Sequence, residues 1–202
     1  MKLDDKKIRN EIKNRLSEYK DCYIFDEFTV PSGKARADLV AINGHITGYE
    51  IKSDVDSLHR LSSQIKEYDK VFEKNYIVVG EKYSKVVARF VPDYWGIIVV
   101  QGERIDSIHI KFLRRARLNP NLDFFSYICM LPGNELKYIV KENPKFQVKF
   151  SKTEIQKMLK QDVVSILTNE TTQKQKMEIK KAIRYFFKGK NLKMIYKKGE
   201  LV

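Results

Sequence analysis

Apolar residues recur at every fourth position near the N-terminus. In "DDKKIRNEIKNRLSEY", Ile8, Ile12 and Leu16 are four apart and Tyr19 extends the stripe, which predicts an amphipathic helix. The next run, "CYIFDEFTV", is rich in β-branched and aromatic residues and ends at Pro31–Gly33, as a strand would. Two further β-runs, "RADLVAI" and "HITGYEIKS", flank Asn43-Gly44, a strong hairpin signal. Helical spacing returns in "DSLHRLSSQIKEYDKVFEK" through Leu58, Leu61, Ile65, Tyr68 and Phe72. "NYIVVG" predicts a short, fully apolar strand, "EKYSKVVARFV" a helix interrupted by Pro92, and "WGIIVVQ" another buried strand.

The order α-β-β-β-α-β-α-β predicts an α/β domain, a mixed sheet with helices packed on it. After Arg117 the pattern becomes helical. "DFFSYICML" and "NELKYIVKE" predict two short helices hinged at Pro132-Gly133. Ser151 and Glu154 form a capping box that opens "SKTEIQKMLKQDVVSIL". A last helix covers roughly 172–188 and ends near Gly189. The expected organisation is a first domain over 1–118 and a basic, mainly helical segment over 119–202.

Charge adds a direction. The 202 residues carry 39 Lys+Arg against 26 Asp+Glu, a net +13. Residues 1–118 hold 22 basic and 18 acidic side chains, and residues 119–202 hold 17 and 8. Such a field favours polyanions, nucleic acid first and anionic membrane second. Charge alone leaves a lysine-rich solvated surface equally open. Cys22 and Cys129 are far apart in apolar surroundings, which argues against a disulfide scaffold or zinc knuckle and fits a reducing cytoplasm. No apolar run approaches the ~18 residues of a membrane span, and the N-terminus has no signal-peptide core. A cytoplasmic protein without a membrane segment is expected. His45, His59 and His109 share no metal-ligand spacing, and no Walker loop or nucleophile elbow is present.

The chemistry gathers in "ARADLVAINGHITGYEIKS", where Asp38, Glu50 and Lys52 interrupt buried β-structure. Burying a charge is unfavourable unless it is paired or binds a metal. Glu50 and Lys52 are two apart on a strand and share a face, while Tyr49 and Ile51 take the other. Carboxylates on adjacent strands can hold a hard divalent cation. A lysine beside them can orient a water or stabilise charge developing on a phosphate. That arrangement suits metal-assisted phosphodiester hydrolysis; a structural ion pair at a sheet end is the plainer alternative.

The motif Asp38…Glu50-Ile51-Lys52, after one helix and before another, resembles the PD-(D/E)xK nuclease superfamily, and the whole chain looks most like bacterial sce7726-type proteins. The resemblance covers roughly residues 3–101. It implies a restriction-endonuclease-like αβββαβ core, DNA as substrate and Mg²⁺ or Mn²⁺ as cofactor, and it allows a homodimer. Asp38 and Glu50 match the metal carboxylates, Lys52 the catalytic lysine, and Ile51 a backbone-carbonyl ligand. Glu11 matches the helical glutamate of some members, and Gln64 and Tyr68 match a QxxxY element on one helix face. Ala37 stands where the name-giving proline would be. Arg36, Arg60 and the "RRAR" residues Arg114, Arg115 and Arg117 are candidate phosphate contacts. A non-catalytic nucleic-acid-binding module on the same fold, or a partner-binding protein, are the competing functions.

Register raises one difficulty. A two-residue Asn43-Gly44 turn would set Asp38 opposite Tyr49, with the two carboxylates on opposite faces. The site therefore requires a three-residue loop, a bulge near Gly48, or a splayed start to the strand of Asp38.

Overall fold

The computed structural model describes residues 4–102, 108–190 and 192. The chain divides into two compact units that part between Leu122 and Asp123. The division falls after Asn119, which belongs to the first unit because its amide donates to the carbonyls of Asp69 (2.7 Å) and Phe72 (2.8 Å).

The first unit is an α/β layer structure. Helix α1 (Asp5–Ser17) starts where Asp4 accepts from the Lys7 amide, and it buries Ile8, Ile12 and Leu16. Tyr19 lies beyond the helix end and is exposed, so it does not extend the stripe. Six strands follow: β1 (Tyr23–Thr29), β2 (Arg36–Asn43), β3 (His45–Lys52), β4 (Lys74–Val79), β5 (Gly96–Gln101) and β6 (His109–Arg114). They line up in chain order, antiparallel from β1 to β3, parallel through β4 and β5, and antiparallel again at β6. Helix α2 (Leu61–Val71) connects β3 to β4. The α1 stripe meets Leu39, Ala41, Tyr49, Ile51, Val78, Ile98 and Val100 in one apolar cluster.

Three expectations change. The segment 81–91 forms two 3₁₀ turns, Glu81–Tyr83 and Val87–Arg89, in place of the expected helix, although Val87 and Val91 are buried and Val86 and Phe90 exposed at helical spacing. Strand β6, absent from the sequence reading, is an edge strand that leaves Phe112 and Leu113 exposed. The hairpin closes on Gly44 alone, at φ +74, with Asn43 paired to His45 and Leu39 to Tyr49. This is the three-residue solution. Gly48 sits in regular register opposite Val40; a Cβ there would lie 2.4 Å from the Phe72 ring, so the glycine serves close packing rather than a bulge.

The second unit is helical: α3 (Phe124–Ile128), α4 (Gly133–Glu142), α5 (Pro144–Gln147), α6 (Lys152–Lys157), α7 (Lys160–Glu170) and α8 (Gln173–Phe187). The Ser151/Glu154 capping box forms, and Gly189 at φ +71 follows α8. The single helix expected from Ser151 is broken at Met158-Leu159, and Asp162 accepts from the Leu159 amide (3.1 Å) at the second start. A straight helix would put Val164 roughly half a turn from Ile155; the break lets both be buried. The last part of the basic segment, 193–202, lies outside the described residues. Among those described, no helix is long and apolar enough to cross a membrane.

Candidate active site

Strands β2 and β3 stop pairing as they reach the charged residues. Carried one step past Leu39–Tyr49, the register sets Asp38 opposite Glu50 on one face. There the Ile51 N–H donates to Asp38 Oδ2 (2.7 Å) instead of to a strand carbonyl. The strand is splayed by its own side chain. On the other side, β1 passes Asp38 at Glu27, a non-glycine residue with φ +53.

Glu50 is 1% exposed, and the hydrogen bonds to its carboxylate come from Lys52 of the motif and from Gln64 and Tyr68, the residues the family resemblance implies. Oε1 accepts from Gln64 Nε2 (2.5 Å) and Lys52 Nζ (2.7 Å), and Oε2 from the Tyr68 hydroxyl (2.5 Å). The i,i+4 spacing on α2 places Gln64 and Tyr68 together over this carboxylate. Burial first, then the Glu50 charge, pushes the Tyr68 phenol far upward, so it remains a donor. Gln64 Oε1 is buried without a hydrogen-bond partner.

Asp38 is held from α1. Arg9 Nη2 lies 3.1 Å from Asp38 Oδ1, and Nη1 donates to the Asp38 carbonyl (2.7 Å). The same guanidinium reaches Asp5 Oδ1 (3.1 Å) and Glu27 Oε1 (2.7 Å), and Glu27 Oε2 pairs with Arg36 (2.6 Å). Burial, and then the nearby Glu50 charge, raise the Asp38 carboxyl to about 7 despite the Ile51 amide and Arg9.

Asp38, Glu50, Ile51 and Lys52 open onto one cleft of about 500 Å³, with Gln64, Asp5, Lys34, Arg36, Asp56 and Arg60 also at its walls. Glu11 is elsewhere. Two residues past Arg9 it is about 200° around the helix, and it faces a separate groove with Arg15 and Phe112. Asp5 and Arg9 take its expected place. Their i,i+4 opposite charges were the available signal, whereas nothing in a glutamate announces the left-handed backbone of Glu27. Arg114 ends β6 opposite Ile97, with Arg115 and Arg117 just after it, at the end of the sheet away from Lys52. Arg114 donates to the Trp95 and Pro92 carbonyls (both 2.7 Å) and Arg117 pairs with Asp93 (2.6 Å), so both brace the fold; Arg115 is exposed there.

The oxygen-rich donor set suits a hard cation. Among the described residues no cluster of three or more Asp, Glu, His or Cys is placed to hold a metal. Mg²⁺, however, keeps several waters and needs only one or two carboxylates. Asp38, Glu50 and the Ile51 carbonyl would hold it, and the unpartnered Gln64 Oε1 is an acceptor for a water donor.

Comparison with known proteins supplies the relatives. The family described as bacteriophage P4 protein cII matches residues 2–199. The chain belongs to that family. Protein cII of Enterobacteria phage P4 is 34% identical to this cII-family chain over 122 residues, 60% of the chain and 46% of the phage protein. The match thus spans about half the length of that curated relative. Among solved structures, a protein of unknown function from Silicibacter pomeroyi, SPO1766, aligns over 48% of this chain and 62% of its own, with 18% identity and a TM-score of 0.36.

Proposed function

We propose that this cII-family chain is a metal-dependent nuclease that hydrolyses phosphodiester bonds in DNA, on a restriction-endonuclease-like core. The observation that carries the reading is the cleft itself: two carboxylates from neighbouring strands, with Lys52 bonded to one of them and basic side chains at the rim. A bound Mg²⁺ or Mn²⁺ would supply Lewis-acid polarisation of a phosphoryl oxygen and a readily ionised water. Lys52 then has a hydrogen bond to offer an oxygen on which negative charge develops. Gln64 and Tyr68 fix the Glu50 carboxylate, and Gln64 Oε1 accepts from a water in the cleft. Lys34, Arg36 and Arg60 contact backbone phosphates and position the substrate without reading its sequence. The basic helical unit adds non-specific attraction.

A second reading, a non-catalytic DNA-binding module, is favoured by one observation. Every carboxylate oxygen of Asp38 and Glu50 already accepts from a protein donor, as a purely structural ion network would have it. The two separate in a panel of duplex, single-stranded and branched DNA, and RNA, each incubated with Mg²⁺, Mn²⁺ or EDTA. Cleavage that EDTA stops supports the nuclease. A salt-dependent mobility shift without cleavage supports the binding module.

A further inference from the structure

The contacts behind Asp38 form a relay that the nuclease reading leaves unused. Arg9 joins three elements. Its Nη1 reaches the Asp38 carbonyl and Glu27 Oε1, its Nη2 reaches Asp38 Oδ1 and Asp5 Oδ1, and its Nε also reaches Asp5 Oδ1 (3.2 Å). Only a planar fork makes these contacts at once; a lysine would bring the charge but one nitrogen. The Asp38 carboxylate thus has one donor on each oxygen, Arg9 on Oδ1 and the Ile51 amide on Oδ2, which fixes the plane of the group while leaving a lone pair on each oxygen.

Glu27 stands behind that fork. It occupies the left-handed region, φ +53, directly between the paired positions Asp26–Leu39 and Phe28–Ala37. This backbone is unfavourable for a glutamate and easy for a glycine, and such strain clusters at functional sites. The Glu27 carboxylate is shared between Arg9 and Arg36, linking the fork on Asp38 to a cation at the cleft.

We propose that Arg9 and Glu27 are positioning residues: the Arg9 fork, braced by Glu27 in a strained backbone, aims the Asp38 carboxylate into the cleft beside Glu50 and presents a preformed cation site. The inference rests on the nuclease reading in one respect, that Asp38 holds a divalent cation. Partners of this kind typically contribute 10–100-fold to metal affinity.

The test is titration of the full chain with Mn²⁺ alone, following bound and free ion by electron paramagnetic resonance, with thermal melts in parallel. Arg9→Gln and Arg9→Lys should both bind Mn²⁺ roughly tenfold or more weakly than wild type. Glu27→Gly should melt at or above the wild-type temperature yet bind Mn²⁺ several-fold more weakly, a split that a merely structural glutamate would not give. Should Arg9→Gln fail to fold, Glu27→Gly still decides, because glycine suits the backbone at that position. An Arg9→Lys chain, or a Glu27→Gly chain, with wild-type Mn²⁺ affinity overturns the positioning role and leaves the nuclease reading intact. A wild type that binds no Mn²⁺ overturns both.

Discussion

Helix α2 serves two buried carboxylates that look alike by burial and differ in everything else. Glu50, on β3, is held by Gln64 and Tyr68 of α2 and by Lys52. Asp69, on α2 itself, accepts from Trp95 Nε1 (2.8 Å), Asn75 Nδ2 (3.2 Å) and the Tyr94 hydroxyl (2.5 Å). The rings between them are in contact, with Tyr68 stacked on Trp95 at 6.0 Å. Every side-chain donor to Asp69 is neutral, and together they pin α2 to β4 and to the approach of β5. Burial raises the Asp69 carboxyl although its donors oppose the shift. Glu50 instead faces a cation, a second carboxylate and an open cleft. A buried acid ringed by neutral donors stabilises a fold; one that shares its space with Asp38 and Lys52 holds charge where a ligand can reach it.

The comparison breaks most visibly by mutation. Glu50→Gln is expected to lower cleavage per folded molecule by more than about 100-fold, with a loss of stability from the unpaired Lys52 that relief of the repulsion with Asp38 partly offsets. Asp69→Ala should act on stability alone. It strands the buried donors of Trp95 and Asn75 and the half-buried Tyr94 hydroxyl, and should lose about 3 kcal/mol of stability in urea titrations, with cleavage per folded molecule unchanged at low temperature. An Asp69→Ala chain that stays stable but inactive would erase the distinction drawn between the two acids.

Proton linkage sharpens it further. Asp38 holds its proton up to about pH 7 in the folded chain, whereas an unfolded aspartate releases it near 3.9. Between those values the folded state binds the extra proton, so stability falls as pH rises, by at most about 1.4 kcal/mol per pH unit, and levels off above 7. Asp38→Asn should flatten the slope, and saturating Mg²⁺ should flatten it in the wild type by favouring the ionised carboxylate. Urea denaturation at a series of pH values reads this directly; equal slopes in wild type and variant would contradict it. The smallest effect is Tyr68→Phe, which removes one of the three donors to Glu50. About 1 kcal/mol of stability should go with it, and cleavage should fall less than in Glu50→Gln.

What the sequence made legible follows from periodicity. Apolar β-runs flanking Asn43-Gly44 and the four-residue spacing of α2 place the elements that carry Asp38, Glu50, Lys52, Gln64 and Tyr68, and the family resemblance brings Gln64 and Tyr68 to the carboxylates. Edge strand β6 could not be placed in this way, because an edge with both faces largely in water shows no alternation. Nor could the break between α6 and α7, where a chain of good helix formers is interrupted to bury Ile155 and Val164 together. Glu11 matches by residue type, but angle around α1 decides which side chain reaches the site, and that favours Asp5 and Arg9. Gly44 closed the hairpin with one residue at its apex rather than two, a single-residue difference that moves Asp38 from beside Tyr49 to beside Glu50.

Whether this cleft does chemistry turns on Lys52. Wild type and Lys52→Ala should be assayed on the nucleic-acid panel with Mg²⁺, Mn²⁺ and EDTA, beside melting curves with and without the cation. The wild type should show EDTA-sensitive cleavage of DNA, lost in Lys52→Ala with DNA binding retained. The wild-type melting temperature should also rise with Mg²⁺ or Mn²⁺. A Lys52→Ala chain that cuts as fast as wild type would contradict the role given to Lys52. A wild type that cuts nothing in the panel and whose melting temperature ignores both cations would contradict the nuclease itself.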